Sequence, residues 1–308
     1  MRLFGKTHID FMGKRRSWYM VSAAVILAGL ISLGMRGLDY GIDFLGGTEM
    51  IVRFENPMQI GDVRNAMAKG GLEKAEVKSY GSDNDFVLRT TEQGAGTSIG
   101  DKMRATIAQT FPDNTFQVLK EDKIGPKIGS ELRMKAFWAI FWSLIAISIY
   151  IGFRFKWIYG VGAIVALFHD VLVALGIVSI FDGITPNFNL EITQDMIAAF
   201  LTLVGLSVND TVVIFDRIRE NQKIFKAMPL FEVINKSLNE TLSRTIITSG
   251  TIFIVTIVML MLGGEVLRGF SFVLTVGIVT GTYSSIYIAS AVVLEWASRT
   301  KKEAKLIK

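Results

Sequence analysis

Six stretches of apolar residues, each long enough to cross a lipid bilayer as a helix, constrain this chain more than any other feature. They lie within residues 18–35, 134–153, 157–181, 195–216, 244–262 and 269–294, and about 20 such residues span a hydrocarbon core. Lipid offers the backbone no hydrogen-bonding partner, so spans of this kind must satisfy their own amides as helices. Half of the 308 residues are hydrophobic and the mean hydropathy is +0.41. A polytopic α-helical membrane protein is therefore expected.

Lysine and arginine are unevenly shared among the connections. The N-terminal segment holds Lys6, Lys14, Arg15 and Arg16, and the turn after the second span holds Arg154 and Lys156. Arg217, Arg219, Lys223, Lys226 and Lys236 follow the fourth span, and Arg299, Lys301, Lys302, Lys305 and Lys308 follow the sixth. The stretch 182–195 has no basic residue and the turn Gly263 to Arg268 has one. The positive-inside bias then predicts cytoplasmic termini in a multi-pass membrane protein, with residues 36–133 exported. This distribution attributes the net charge of +5 to membrane orientation and lipid contact, with no nucleic-acid partner. The first span is too long for a signal peptide and is read as an uncleaved anchor. With no cysteine and only His8 and His169, neither a thiolate metal site nor a histidine-rich one is expected, and no cofactor is called for.

The exported segment alternates in a way that predicts strands at 48–55, 73–80, 85–90 and 115–121 and helices at 59–69 and 98–111. The order βαββαβ is that of a ferredoxin-like α+β sandwich, a fold that hosts many functions. A glycine-rich stretch containing Gly41, Asp43, Gly46 and Gly47 precedes it. Without the lysine and serine or threonine of a phosphate loop, that stretch is expected to make a tight connection. Within the predicted cytoplasmic loop 217–243, Pro229 to Ser243 has amphipathic helical spacing, suited either to lying on the membrane face or to extending the fifth span.

Polar groups inside the spans direct attention to function. Asp210 interrupts the fourth span beside Asn209, and a carboxylate costs about 2.5–3.5 kcal/mol at the centre of a bilayer helix. Arg244 opens the fifth span, and at about 1.5 Å per residue both charges fall in the cytoplasmic half of the bilayer. An acid and a base at one depth could pair, and protonation would switch such a contact. His169 and Asp170 interrupt the third span, but adjacent helical residues point about 100° apart and need not share a site. Small-residue stripes at Ala198, Thr202, Gly205 and Asn209, and at Ala163, Ala166, Asp170 and Ala174, would let helices approach closely. Asp170 and Asp210 also raise the question of an intramembrane aspartyl protease. The GxGD-type motif of such proteases is absent, since the chain reads Gly205, Leu206, Ser207, Val208, Asn209, Asp210, and no bond-cleaving enzyme is expected.

Several motifs in order resemble the SecF family of protein-export membrane proteins: YGIDFLGGTE at Tyr40 to Glu49, IGPKIGSEL at Ile124 to Leu132, and FHD at Phe168 to Asp170. LVGLSVNDTVVIFDRIREN at Leu203 to Asn221 and SLNETLSRTIITS at Ser237 to Ser249 extend the resemblance over nearly the whole chain. It implies half of a resistance-nodulation-division exporter fold, the other half being SecD, with SecYEG, YajC and an unfolded preprotein as further partners. It also implies that Asp210 and Arg244 line a proton path shared with SecD in the bacterial inner membrane, with the exported segment in the periplasm; Asn209, Asp170 and His169 are auxiliary candidates by their place in the spans alone. The implied activity is a proton-motive-force-driven late step of translocation. Two other readings compete. A small-molecule transporter would need a second six-helix repeat, which is not evident; a passive translocon scaffold would tolerate neutralising both charges.

Overall fold

The computed structural model describes residues 7–92, 94, 98–182, 184 and 190–299. Lys6, Lys301, Lys302, Lys305 and Lys308, used above for orientation, lie outside the described residues, as do 183 and 185–189 of the basic-free stretch. After a 3-10 turn, Met12–Lys14, come α1 (Arg15–Arg36), the short α2 (Ile42–Leu45), β1 (Gly47–Phe54), α3 (Ile60–Lys69), β2 (Glu76–Tyr80) and β3 (Ser82–Thr90). Then follow α4 (Ser98–Thr110), β4 (Phe116–Ile124), α5 (Pro126–Arg154), α6 (Trp157–Phe181), α7 (Gln194–Ile224), α8 (Leu230–Leu262) and α9 (Gly264–Ser284). A π-helical stretch, Ser285–Ala289, joins α9 to α10 (Ser290–Arg299). Six helices are long and apolar enough to cross a membrane, α9 and α10 together supplying the sixth.

The four strands form one antiparallel sheet in the order β2-β3-β1-β4, which with its two helices is the ferredoxin-like sandwich expected from the alternation. Met50, Val52 and Phe54 of β1 point to one face. There they pack with Phe86 and Leu88 of β3, Val63 and Met67 of α3, and Met103 and Ile107 of α4. The opposite face carries charge. Glu49 sits across from Arg89 in the β1–β3 register, and this face looks toward the segment that leads into α7.

The bundle centres on α6, which runs half buried through it. Gly29 of α1 and Gly176 of α6 let these helices touch backbone to backbone, because a Cβ built on Gly29 would lie 2.6 Å from the Gly176 Cα. The stripe Ala163, Ala166, Asp170 and Ala174 of α6 is buried, packed toward α7 and the sixth span. By contrast Ala198, Thr202, Gly205 and Asn209 of α7 are all exposed, so this second stripe faces away from the chain's own helices.

Helices α5, α7 and α8 run well beyond the apolar stretches read from sequence. Pro126 starts α5 directly after β4, its missing amide being one the first turn leaves unbonded anyway. α7 continues to Ile224, and Pro229 caps the next helix. Helix α8 then runs unbroken from Leu230 to Leu262, so the amphipathic stretch extends the fifth span. Its apolar side, Leu230, Val233, Ile234 and Leu238, is buried with Phe11, Met12, Phe215 and Ile218.

Candidate functional site: buried carboxylates in the helix bundle

Asp170 and Asp210 are both buried in the bundle, with 1% and 8% of their surface exposed, and each is reached by hydroxyls from neighbouring helices. Burying an ionised carboxylate costs several kcal/mol unless hydrogen bonds or counter-charges replace its water. Asp210 Oδ2 accepts from Ser249 Oγ of α8 at 2.9 Å. It borders a narrow crevice of about 20 Å³ that Ser207, Asn209, Thr248 and Ser249 also line.

Arg244 does not contact that carboxylate directly. It is exposed, and among the described residues no ion pair joins it to Asp210; the direct partner is Ser249, about one and a half turns further along α8. In place of the expected acid–base pair there is a hydroxyl–carboxylate bond. Asn209 is exposed on α7 and presents to the mouth of the crevice.

His169 and Asp170 do share a site, which their adjacent helical positions did not require. His169 Nδ1 lies 2.9 Å from Asp170 Oδ1, a contact that turns on side-chain torsions and not on Cβ directions alone. Asp170 Oδ2 accepts from Ser284 Oγ at 2.8 Å and from Ser207 Oγ. On the far side of the ring, His169 Nε2 is 3.0 Å from Ser22 Oγ and 3.0 Å from the Tyr283 hydroxyl. The π-helical stretch has a local consequence here. Successive serines on either side of its start face inward, Ser284 toward Asp170 and Ser285 toward Thr211 Oγ1 at 2.8 Å. The hydroxyl residues Ser22, Ser207, Ser249 and Ser284 escaped the sequence reading because an isolated serine in an apolar helix usually bonds its own backbone.

The glycine-rich connection is built against α5, β3 and the start of α7. Gly46 and Gly47 have φ of 74° and 146°, and a Cβ there would lie 2.8 Å from Pro126 Cα and 2.4 Å from Thr90 O respectively. Gly41 donates its amide to Ile192 O at 3.0 Å, and Ile192 donates to Asp39 O at 2.8 Å. Asp43 Oδ2 accepts from the Gln194 amide at 2.9 Å, at the positive end of the α7 dipole. Glu191 meets Arg89 of β3 and Lys78 of β2, while Arg89 also reaches Glu49 and Glu76, each at 3.4 Å. Burial pushes the Glu49 carboxyl up, against the opposing pull of Arg89. No cluster of three or more histidine, aspartate or glutamate side chains suited to a metal occurs among the described residues.

Fold and site together define a multi-pass membrane protein that carries an α+β domain between its first two spans and buried, hydroxyl-bonded carboxylates in its bundle. The family described as protein export membrane protein SecD/SecF, C-terminal, matches residues 103–299, and the SecD/SecF GG motif matches residues 31–58. The chain belongs to this SecD/SecF family. It is 46% identical to the protein translocase subunit SecF of Rhodothermus marinus over 306 residues, covering 99% of both chains. It is 42% identical to the SecF of Desulfurispirillum indicum, covering 95% of this chain and 93% of that one. Among solved structures, SecDF from Thermus thermophilus superposes with a TM-score of 0.82 at 35% identity, covering 95% of this chain. SecDF in a super-membrane-facing form gives 0.70 at 35% identity, covering 99%. The chain spans only 39% and 41% of the lengths of those two SecDF chains.

Proposed function

We propose that this chain is the SecF subunit of a bacterial Sec preprotein translocase and that, with a SecD partner, it uses the proton-motive force to promote late translocation. SecYEG and YajC complete the assembly in this reading, and the substrate is an unfolded preprotein. Both termini are cytoplasmic and residues 36–133 are periplasmic. Asp210 is the proton-binding group of this half, and Arg244 tunes it through its field.

The observation that carries the reading is the environment of Asp210. Its carboxylate is buried in a membrane helix, held by one neutral hydroxyl and bordered by a crevice. A static structural charge would be matched by a close cation. Membrane potential supplies about 2.3 kcal/mol per charge per 100 mV, enough to bias two packings of the bundle. The start of α7 is tied to the periplasmic domain through Asp43 and Glu191. Repacking of α7 around Asp210 therefore moves that domain, which alternately holds and releases the emerging chain.

Asp210→Asn is expected to abolish proton-gradient-dependent stimulation of preprotein export in membrane vesicles while leaving copurification with SecD intact. Wild-type stimulation in that variant sinks the proposal, and a passive scaffold would give that result.

A further inference from the structure

A polar network joins four helical segments beside the Asp210 crevice: Ser22 of α1, His169 and Asp170 of α6, Ser207 of α7, and Tyr283 and Ser284 of α9. An ionised carboxylate only accepts hydrogen bonds, so the Ser207 and Ser284 hydroxyls and a His169 Nδ1–H suit the charged form of Asp170. In a neutral imidazole with its proton on Nδ1, Nε2 accepts from Ser22 or Tyr283. The titratable groups facing Asp170 are His169 on its own helix, Tyr283 of α9 through the imidazole, and Asp210 beyond Ser207. Among the described residues no lysine or arginine pairs with it. Packing alone does not call for such a group, and ionisable residues inside spans mark ion and proton routes.

Ser207 is common to both sites. Its hydroxyl donates to Asp170, and one turn further along α7 stands Asp210, with which Ser207 lines the crevice. A cavity needs about 10–15 Å³ to hold a water, and the crevice has about 20 Å³.

We propose that Asp170 is a second proton-holding carboxylate of the bundle and that the Ser207 hydroxyl hands protons between it and Asp210. The exchange balances without any other reactant. Protonated Asp170 gives its proton to Ser207 Oγ as Ser207 releases its own through a crevice water to the Asp210 carboxylate. Asp170 is left charged, Asp210 neutral and the serine unchanged, and rotation of the hydroxyl resets the path. His169 stabilises the charged Asp170 through Nδ1–H and is a positioning residue.

The inference rests on the proton-driven reading above, and one experiment separates the two. Proton flux is measured across proteoliposomes containing the complex of this chain with its SecD partner, under an imposed pH gradient. Asp170→Asn and Ser207→Ala are each expected to lower flux roughly ten-fold or more, with Asp170→Glu restoring part of it. Ser284→Ala removes one donor from the charged form of Asp170 without touching the crevice. It is expected to move the flux midpoint to higher pH, which a purely structural role would not do; this variant also stands in if the others fail to copurify with SecD. Wild-type flux in Asp170→Asn or Ser207→Ala, or an unmoved midpoint in Ser284→Ala, overturns the inference while an inactive Asp210→Asn keeps the parent reading standing. Wild-type flux in Asp210→Asn overturns the parent reading itself.

Discussion

Glu191, three residues before the first residue of α7, is buried against Arg89 on the charged face of the sheet. One ion pair thereby fastens the link between two membrane helices to a domain inserted more than a hundred residues earlier. Lys78 shares the same carboxylate, and Glu49 and Glu76 share the same guanidinium.

Removing one partner of a buried pair leaves the other charge uncompensated, at about 3–5 kcal/mol. Glu191→Gln should fall at or below the low end of that range, because Arg89 keeps Glu49 and Glu76. Thermal unfolding in detergent should show a lowered midpoint, and limited proteolysis should open the sheet domain before the bundle. An unchanged midpoint would mean that the domain is held by the Gly41 and Asp43 contacts alone.

Gly29 and Gly34 lie on the same helix and should respond differently to alanine. A Cβ at Gly29 would meet the Gly176 backbone at 2.6 Å, whereas nothing lies within 4 Å of one at Gly34. Overpacking of this kind costs about 1–3 kcal/mol, and the atoms in the way are backbone and cannot swing aside. Gly29→Ala is expected to lower the unfolding temperature and weaken the Ser22–His169 contact, while Gly34→Ala leaves both unchanged. Equal effects at the two positions would refute the close-packing account.

The apolar stretches and the period-two pattern of the exported segment were enough to read the six spans and the sandwich, because both follow from local periodicity. Hydropathy also drew attention to Asp210. It could not show that Ser249 would stand where Arg244 was expected, since depth along two helices is legible while rotation about their axes is set by packing. The His169–Asp170 contact was hidden for a related reason: it depends on rotamers chosen by Ser22, Ser207, Tyr283 and Ser284 from three other helices. Helix ends were overlooked in α5 and α7, where polar residues continue the helix past the apolar stretch, whereas the extension of α8 before Arg244 was one of the two readings its amphipathic spacing allowed.

Asp85 makes the sheet domain sensitive to acid. Its carboxylate takes two hydrogen bonds from Arg53, at 2.8 and 2.7 Å, and this guanidinium holds the carboxyl below its ordinary value. A carboxyl lowered on folding stabilises the native state above its unfolded pKa, about 3.9, and loses that contribution as pH falls through the folded value. Asp85→Asn should be less stable than wild type at neutral pH, and the two curves should converge below about pH 4. Circular dichroism melts across that range provide the check, and parallel curves would assign the acid response to other groups.

Asn235 and Asn239, one turn apart on the extension of α8, hold the N-terminal segment by its backbone. Asn235 Oδ1 accepts from the Phe11 and Met12 amides at 3.0 and 2.9 Å, and its Nδ2 donates to Asp10 Oδ1 at 2.9 Å. Asn239 both accepts from the Ile9 amide at 2.9 Å and donates to the Ile9 carbonyl at 2.8 Å. Phe11 and Met12 are buried, so Asn235→Ala would strand two amides at about 1–3 kcal/mol each if the segment stayed in place. Release is the cheaper response, limited by the loss of apolar burial at Phe11 and Met12. Trp18 reports on it, since its ring stacks on Tyr283 and Tyr287 with centroids 5.3 and 4.7 Å away. Asn235→Ala should raise protease cleavage near Met12 and alter Trp18 emission, and Asn235→Asp, which keeps both acceptor bonds but repels Asp10, should fall between. Identical cleavage in all three proteins would show that apolar burial alone anchors the segment.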